Sequence, residues 1–203
     1  MFGEIIFKLL SKGREHIENK REKRRWNRLQ ELGMYIGKDV YLPMSTWIDI
    51  SHCYLISIGD RCRFGPQCVI LSHDAMANEF LDAGKIGKVL IKESCCFGFG
   101  NIILPSVEIG PRVITAAGSV ISTSIPPDSV VAGNPARVVA SLKDYLRYHK
   151  MCLKNSPNFA YTEYGVDNLS TEKRRDLLNQ LSGPFGYIVG GYSYEVDKRI
   201  NPS

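Results

Sequence analysis

The sequence predicts an all-β solenoid of about five stacked coils, and three regularities in its middle carry that prediction. Large apolar residues recur every six positions from Ile91 through Phe97, Ile103 and Ile109, lapse at Thr115 and return at Ile121. Ile36, Leu42 and Ile48, then Ile58, Phe64 and Ile70, keep the same period in two other phases. The next position is often glycine (Gly37, Gly59, Gly65, Gly98, Gly110), and the fourth position after the large residue is small or β-branched: Val40, Thr46, Cys62, Cys68, Cys95, Val107, Val113 and Ser119. A helix repeats every 3.6 residues and a half-buried strand every 2, so neither gives this pattern. A sandwich would space its strands by about 8 to 12 residues and would not lock them to six. Short strands joined at corners, with like residues stacked over like, account for it.

The repeat covers residues 34–141 and is interrupted near 49–57 and 72–90. A coil cannot bury its apolar face alone, so the column needs caps at its ends. Ahead of it, residues 1–33 place Phe2, Ile5, Ile6, Leu9 and Leu10 on one helical face, followed by the charged run REHIENKREKRRWNR. This amphipathic helix has two uses, capping the first coil or lying on an anionic membrane surface. Behind the column, residues 142–203 form an extension. Leu142, Tyr145, Leu146 and His149 have helical spacing, a second helix is expected over 170–181, and GPFGYIVGGYSYEV reads as an extended segment or hairpin.

Charge and composition exclude several classes. The net charge is +5, but residues 1–33 hold nine Lys/Arg against five Asp/Glu while 34–141 hold eight against nine, so the basic excess avoids the column. With no basic stripe interleaved with aromatics, nucleic-acid binding is not expected. No apolar run approaches the roughly 18 residues that span a bilayer, and the first residues mix acids and bases where a signal peptide needs an apolar stretch. A cytoplasmic location follows, with the inner face of the membrane as the second reading for residues 1–33. Cys62, Cys68 and Cys95 fall at inward repeat positions and read as reduced core residues.

Three segments carry more than the period: IGDRCRFGPQCVILSHD at 58–74, ILPSVEIGPRVITAAGSVIST at 103–123 and IPPDSVVAGNPARVV at 125–139. Together they resemble the hexapeptide-repeat acyltransferases, and most of all the maltose, galactoside and nodulation-factor O-acetyltransferases and the enzymes that acetylate sugars of bacterial surface polysaccharides. The resemblance covers roughly residues 34–141. It implies a left-handed parallel β-helix, a homotrimer with active sites in clefts between subunits, and acetyl-CoA as co-substrate. It also implies that 72–90 is a loop closing over the acceptor.

Acyl transfer from a thioester to a hydroxyl needs a base to take the proton as the oxygen attacks, and imidazole suits that work near neutral pH. His73 stands where the repeat ends and the loop begins, held by the column yet able to face a cleft, and the resemblance implies a catalytic histidine at this position. His16 and His149 lie in the leader and tail, and His52 lies about one coil away, either stacked near the site or filling a corner. Asp49, Asp74, Glu79 and Asp82 are candidates to orient the imidazole, with no choice among them from spacing. Asp49, Asp74 and Glu79 are also the candidate acceptor contacts, Asp49 because related enzymes often place an acceptor-binding Asn or Asp there. Backbone amides in FGFGNI, at Gly98 and Gly100, are the candidate oxyanion donors.

For the coenzyme, the resemblance implies Phe99 near the thioester, Ala117 beside the pantetheine arm and Arg137 on a phosphate. Ser122 and Thr123 occupy positions where related enzymes commonly carry Thr-Lys, so the nucleotide is held by fewer cations or by Lys143. A γ-class carbonic anhydrase would share the fold but needs three converging histidines, and only His52 and His73 lie in the column, so no metal is expected. Serine acetylation is disfavoured because its enzymes carry a larger helical domain ahead of the column. The expected activity is O-acetylation of a sugar hydroxyl. N-acetylation of an amino sugar is the alternative, and a non-catalytic scaffold is the third reading.

Overall fold

Each six-residue step of the sequence becomes one two- or three-residue strand and one corner, and three such steps close a coil. A computed structural model describes residues 20–181 and 183–191 of the chain, without the side chain of Asp167. The chain divides after Leu142 into two compact units.

The first unit is a parallel β-helix with three faces. One face stacks Tyr35–Ile36, Ile56–Ile58, Val89–Ile91 and Val107–Ile109 in parallel. The second stacks Trp47–Ile48, Val69–Ile70, Ile102–Ile103 and Val120–Ile121. The third stacks Arg63–Phe64, Cys96–Phe97, Ile114–Thr115 and Ser129–Ala132, with Tyr41 bridged below Arg63.

Register explains both breaks in the period. Ile36 pairs with Ile58, Ile58 with Ile91 and Ile91 with Ile109, separations of 22, 33 and 18 residues. Eighteen is three hexapeptides, so two coils each extrude an insertion without shifting the residues above or below. The insertions are shorter than the sequence suggested. Pairing resumes at Ile56 after a 3-10 turn at Cys53–Leu55, and again at Val89.

The core is a column of the periodic residues. Ile58, Ile70, Ile103, Ile109 and Ile121 are fully buried, and Phe64 stacks on Phe97 with ring centroids 4.5 Å apart. Cys53, Cys62, Cys68 and Cys95 are buried free thiols. The lapse at Thr115 is chemical and not geometric: Thr115 occupies the buried position above Phe97, and its hydroxyl has no hydrogen-bond partner among the described residues.

Corner chemistry differs from the glycine rule that the sequence suggests. At one corner the left-handed residues are Asp39, Arg61, Ser94, Arg112 and Asp128, with φ between 55° and 59°. They bond up the stack, Arg61 Nε to Ser94 Oγ at 3.1 Å and Arg112 to both carboxylate oxygens of Asp128. The periodic glycines serve close approach instead. A Cβ on Gly59 would lie 2.7 Å from Glu93 N, and one on Gly98 would lie 2.5 Å from Ala117 N.

A helix over residues 20–31 closes the first coil, with Leu29 buried and Trp26 packed on the core. Arg25 donates to the carbonyls of Pro43, Met44 and Thr46. The described part of the leader is therefore a cap, while Phe2, Ile5, Ile6, Leu9 and Leu10 lie outside the described residues. At the other end the chain reverses, and Arg137–Ser141 runs antiparallel to Ser129–Ala132. No helix among the described residues is long and apolar enough to cross a membrane.

In the second unit, helices at Leu142–Asn155, Tyr161–Tyr164 and Thr171–Gln180 flank a two-stranded sheet. Ser170 caps the last helix by accepting from Lys173 N. Tyr187–Val189 pairs parallel with Asn158–Ala160, so the extended segment forms a crossover pair and not a hairpin. Residues 192–196 of that segment lie outside the described residues.

Candidate active site

His73 and Asp74 form a short strand at the foot of the longer insertion, antiparallel to Lys85–Ile86. Gly87 N donates to Ser72 O at 2.9 Å, which closes the loop at its base. The register leaves no room for any other residue at 87, since a Cβ there would lie 2.0 Å from Ser106 Oγ. Between these ends, the loop carries a one-turn helix at Asn78–Leu81.

The carboxylate that meets His73 is Asp49. It directly follows Ile48, and Ile48 pairs with Ile70, so the two-coil register brings Asp49 beneath the segment Leu71–Ser72–His73. Asp49 Oδ2 lies 2.5 Å from His73 Nδ1 and accepts from Ser72 Oγ at 2.8 Å and Ser72 N at 3.2 Å, while Oδ1 accepts from Ser51 N at 3.1 Å. Burial pushes the Asp49 carboxyl up, but the bonds from His73 and Ser72 outweigh burial and hold it below the usual carboxylate value. An ionised carboxylate only accepts, so in the neutral imidazole it is Nδ1 that carries the proton and Nε2 that keeps its lone pair. The His73 side chain is 33% exposed and Asp49 1%, which leaves one ring edge facing outward from an otherwise buried pair.

That edge borders a cleft of about 610 Å³ lined by Trp47, Leu71, His73, Asp74, Ala75, Met76, Lys85, Leu104, Pro105 and Ser122. The volume suits a small ligand, since such sites run to roughly 300–1,000 Å³. Asp74 lines it while also accepting from Met76 N at 2.9 Å. Glu79 sits on the one-turn helix, exposed and outside the cleft lining. Asp49 is buried with both oxygens engaged, so the contact with the acceptor expected of it is replaced by a contact with His73.

The expected coenzyme residues sit on the later coils. Phe99 is half exposed at a corner between Gly98 and Gly100, and Ala117 stacks directly over Gly98. Thr123 and Arg137 are exposed, as is Ser122 within the cleft lining. The guanidinium of Arg137 bonds the Ala136 carbonyl at 3.0 Å, on the turn that reverses the chain. The oxyanion expectation fails for two amides: Gly98 N donates to Thr115 O and Gly100 N to Pro66 O, both at 2.9 Å, so the coils already use them.

Two features escaped the sequence. Ser72, buried beside His73, clamps Asp49, and its one signal was its place next to the histidine. Trp47, on the strand just before Asp49, is half exposed and lines the cleft.

A parallel β-helix with a carboxylate-held histidine at the foot of a loop defines the class: a coiled scaffold whose insertion frames a cleft. No family model matches the chain. A putative acetyltransferase of Bacillus subtilis, YvoF, is 32% identical over 108 residues, which cover 53% of this chain and 60% of that protein. Galactoside O-acetyltransferases of Escherichia coli and Lactococcus lactis are 27% and 33% identical, each match covering 55% of this chain and 55% and 54% of those proteins. The chain thus spans little more than half the length of these relatives. Protein CapG of Staphylococcus aureus is 27% identical over 160 residues, 76% of this chain and 88% of that protein. Among solved structures, a maltose O-acetyltransferase from Clostridium difficile is similar at a TM-score of 0.49 and 25% identity, covering 59% of this chain and 75% of that one. In its period, its coil and these sequence relatives the chain is similar to the hexapeptide-repeat acetyltransferases.

Proposed function

We propose that this protein is an acetyl-CoA-dependent O-acetyltransferase acting on a sugar hydroxyl, with His73 as general base. The observation that carries the reading is the 2.5 Å bond from His73 Nδ1 to buried Asp49 at the rim of the cleft. Held in this tautomer, His73 Nε2 takes the proton of the acceptor hydroxyl as its oxygen attacks the thioester carbonyl. The tetrahedral adduct collapses by breaking the C–S bond, and the leaving thiolate takes the proton back from Nε2. Asp49 stays ionised throughout and stabilises the transient imidazolium, which makes it a positioning residue.

The names of the relatives that act on galactosides support a sugar acceptor. In this reading Trp47 offers its ring face to the sugar and Asp74 its carboxylate. Phe99, Ala117, Ser122 and Thr123 form the coenzyme track, and Arg137 meets a phosphate. The homotrimer that the family resemblance implies belongs to the same proposal, and light scattering checks it.

The test follows thiol release from acetyl-CoA with neutral sugars and amino sugars as acceptors. Turnover with a neutral sugar is expected, and His73→Ala lowers it by about 10²–10⁴-fold. Turnover with amino sugars alone would replace the O-acetylation reading by N-acetylation. Full activity in His73→Ala would refute the base.

A further inference from the structure

We propose that Asp49, His52 and His73 form a binding site for a divalent transition-metal ion of the zinc class, and that the bound ion takes His73 out of use as a base. One donor atom from each residue lies within 4.8 Å of the other two. Two imidazoles and a carboxylate with a fourth position open to solvent make a donor set that zinc accepts. The third donor is an aspartate and not a third histidine.

Four observations point to a metal. The rings of His52 and His73 lie 5.3 Å apart, tilted by 48°. His52 Nδ1 is buried with no hydrogen-bond partner among the described residues, an arrangement that is unfavourable until something binds it. Supporting bonds are already in place: the Ser72 hydroxyl lies 2.8 Å from Asp49 Oδ2 and 3.1 Å from the His52 carbonyl oxygen, tying the carboxylate to the segment that carries the second imidazole. The cleft beside His73 supplies an entry path.

The geometry also makes metal and base exclusive. Ligand distances of about 2.0–2.2 Å set tetrahedral donors about 3.3–3.6 Å apart. With Nδ1 of His73 as the donor, its 2.5 Å bond to Asp49 opens while His52 draws in; with Nε2 as the donor, the lone pair facing the cleft is taken directly. An imidazole whose lone pair is on the metal accepts no proton from an acceptor.

The test titrates the purified full chain with Co²⁺ and reads the visible absorption of tetrahedral cobalt, then displaces it with Zn²⁺. The expected result is one ion per chain with no thiolate charge-transfer band. His52→Gln should weaken binding by at least about 100-fold, since loss of supporting residues alone costs about 10–100-fold. His73→Gln carries the same expectation, should His52→Gln not fold by circular dichroism. A thiolate band, which would assign the ion to Cys96 or Cys152, an octahedral spectrum, or unaltered affinity in both variants would overturn the site. In the transfer assay, Zn²⁺ should inhibit and a chelator should restore activity, whereas turnover unaffected by saturating Zn²⁺ would overturn the switch. Only this inhibition arm rests on the proposed function. The cobalt arm needs no turnover, so failure of the site and failure of the transferase reading are separately visible.

Discussion

Replacing Asp49 by Asn tests the positioning of His73 with almost no change of volume. The carboxylate accepts four bonds, from Ser51 N, Ser72 N, Ser72 Oγ and His73 Nδ1, and is 1% exposed. An amide can donate to Nδ1, which moves the imidazole proton to Nε2 and leaves no lone pair facing the cleft. The expected loss in kcat is about 10²–10⁴-fold, the range for removing general-base function or its tautomer control. Stability at pH 7 should fall by about 1–2 kcal/mol, because a charge-assisted bond weakens to a neutral one. For a chain of this length that is about 2–8 °C in Tm. The pH dependence has a fixed sign. The Asp49 carboxyl titrates below its ordinary value in the folded protein, so its contribution is complete above the unfolded value of about 3.9 and disappears as pH falls through the lower folded one. The Tm gap between wild type and variant should therefore close below about pH 4. Thiol-release kinetics and calorimetric scans across pH measure both effects. A variant with unchanged kcat and a Tm gap independent of pH would refute the reasoning.

Three further outcomes follow from the coil. Arg137→Ala should raise KM for acetyl-CoA by about 10-fold with kcat unchanged, as expected for one lost charge-assisted contact made equally in ground and transition states; steady-state kinetics decides it. Gly87→Ala places a methyl against Ser106 Oγ and N, at 2.0 and 2.7 Å, and should cost about 1–3 kcal/mol in denaturant melts. Adding Ser106→Gly should recover part of that loss. Phe64→Ala empties the stack on Phe97 at a site 1% exposed and should cost about 3–5 kcal/mol by the same melts.

The six-residue period made the coil legible because every strand repeats the same inward position, from Ile36 to Ile121. Thr115 looked like a failure of the pattern, yet it is buried in the same column, since packing geometry there tolerates a branched polar side chain. His73 stood out because it borders a break. Its partner did not, because spacing alone leaves open how many residues an insertion takes from a coil. Only once Ile48 is known to pair with Ile70 does Asp49 fall beneath Ser72 and His73. The oxyanion expectation at Gly98 and Gly100 failed for a related reason: both amides are already bonded between coils, Gly98 where two backbones come close and Gly100 at a corner of positive φ.

The two ends of the column bear on where the ladder of rungs stops. Stacked parallel rungs form an open-ended template, and a bare first or last rung would recruit the next molecule as readily as the next coil. Here Arg25 occupies the carbonyls of Pro43, Met44 and Thr46 at the beginning, and on the third face the last rung, Arg137–Ser141, runs backwards against Ser129–Ala132. A second chain would meet there a strand that runs against the ladder and not along it. The same turn that carries Arg137 thus ends the parallel ladder on that face, and a chain cut before it would leave Ser129–Ala132 as an open rung.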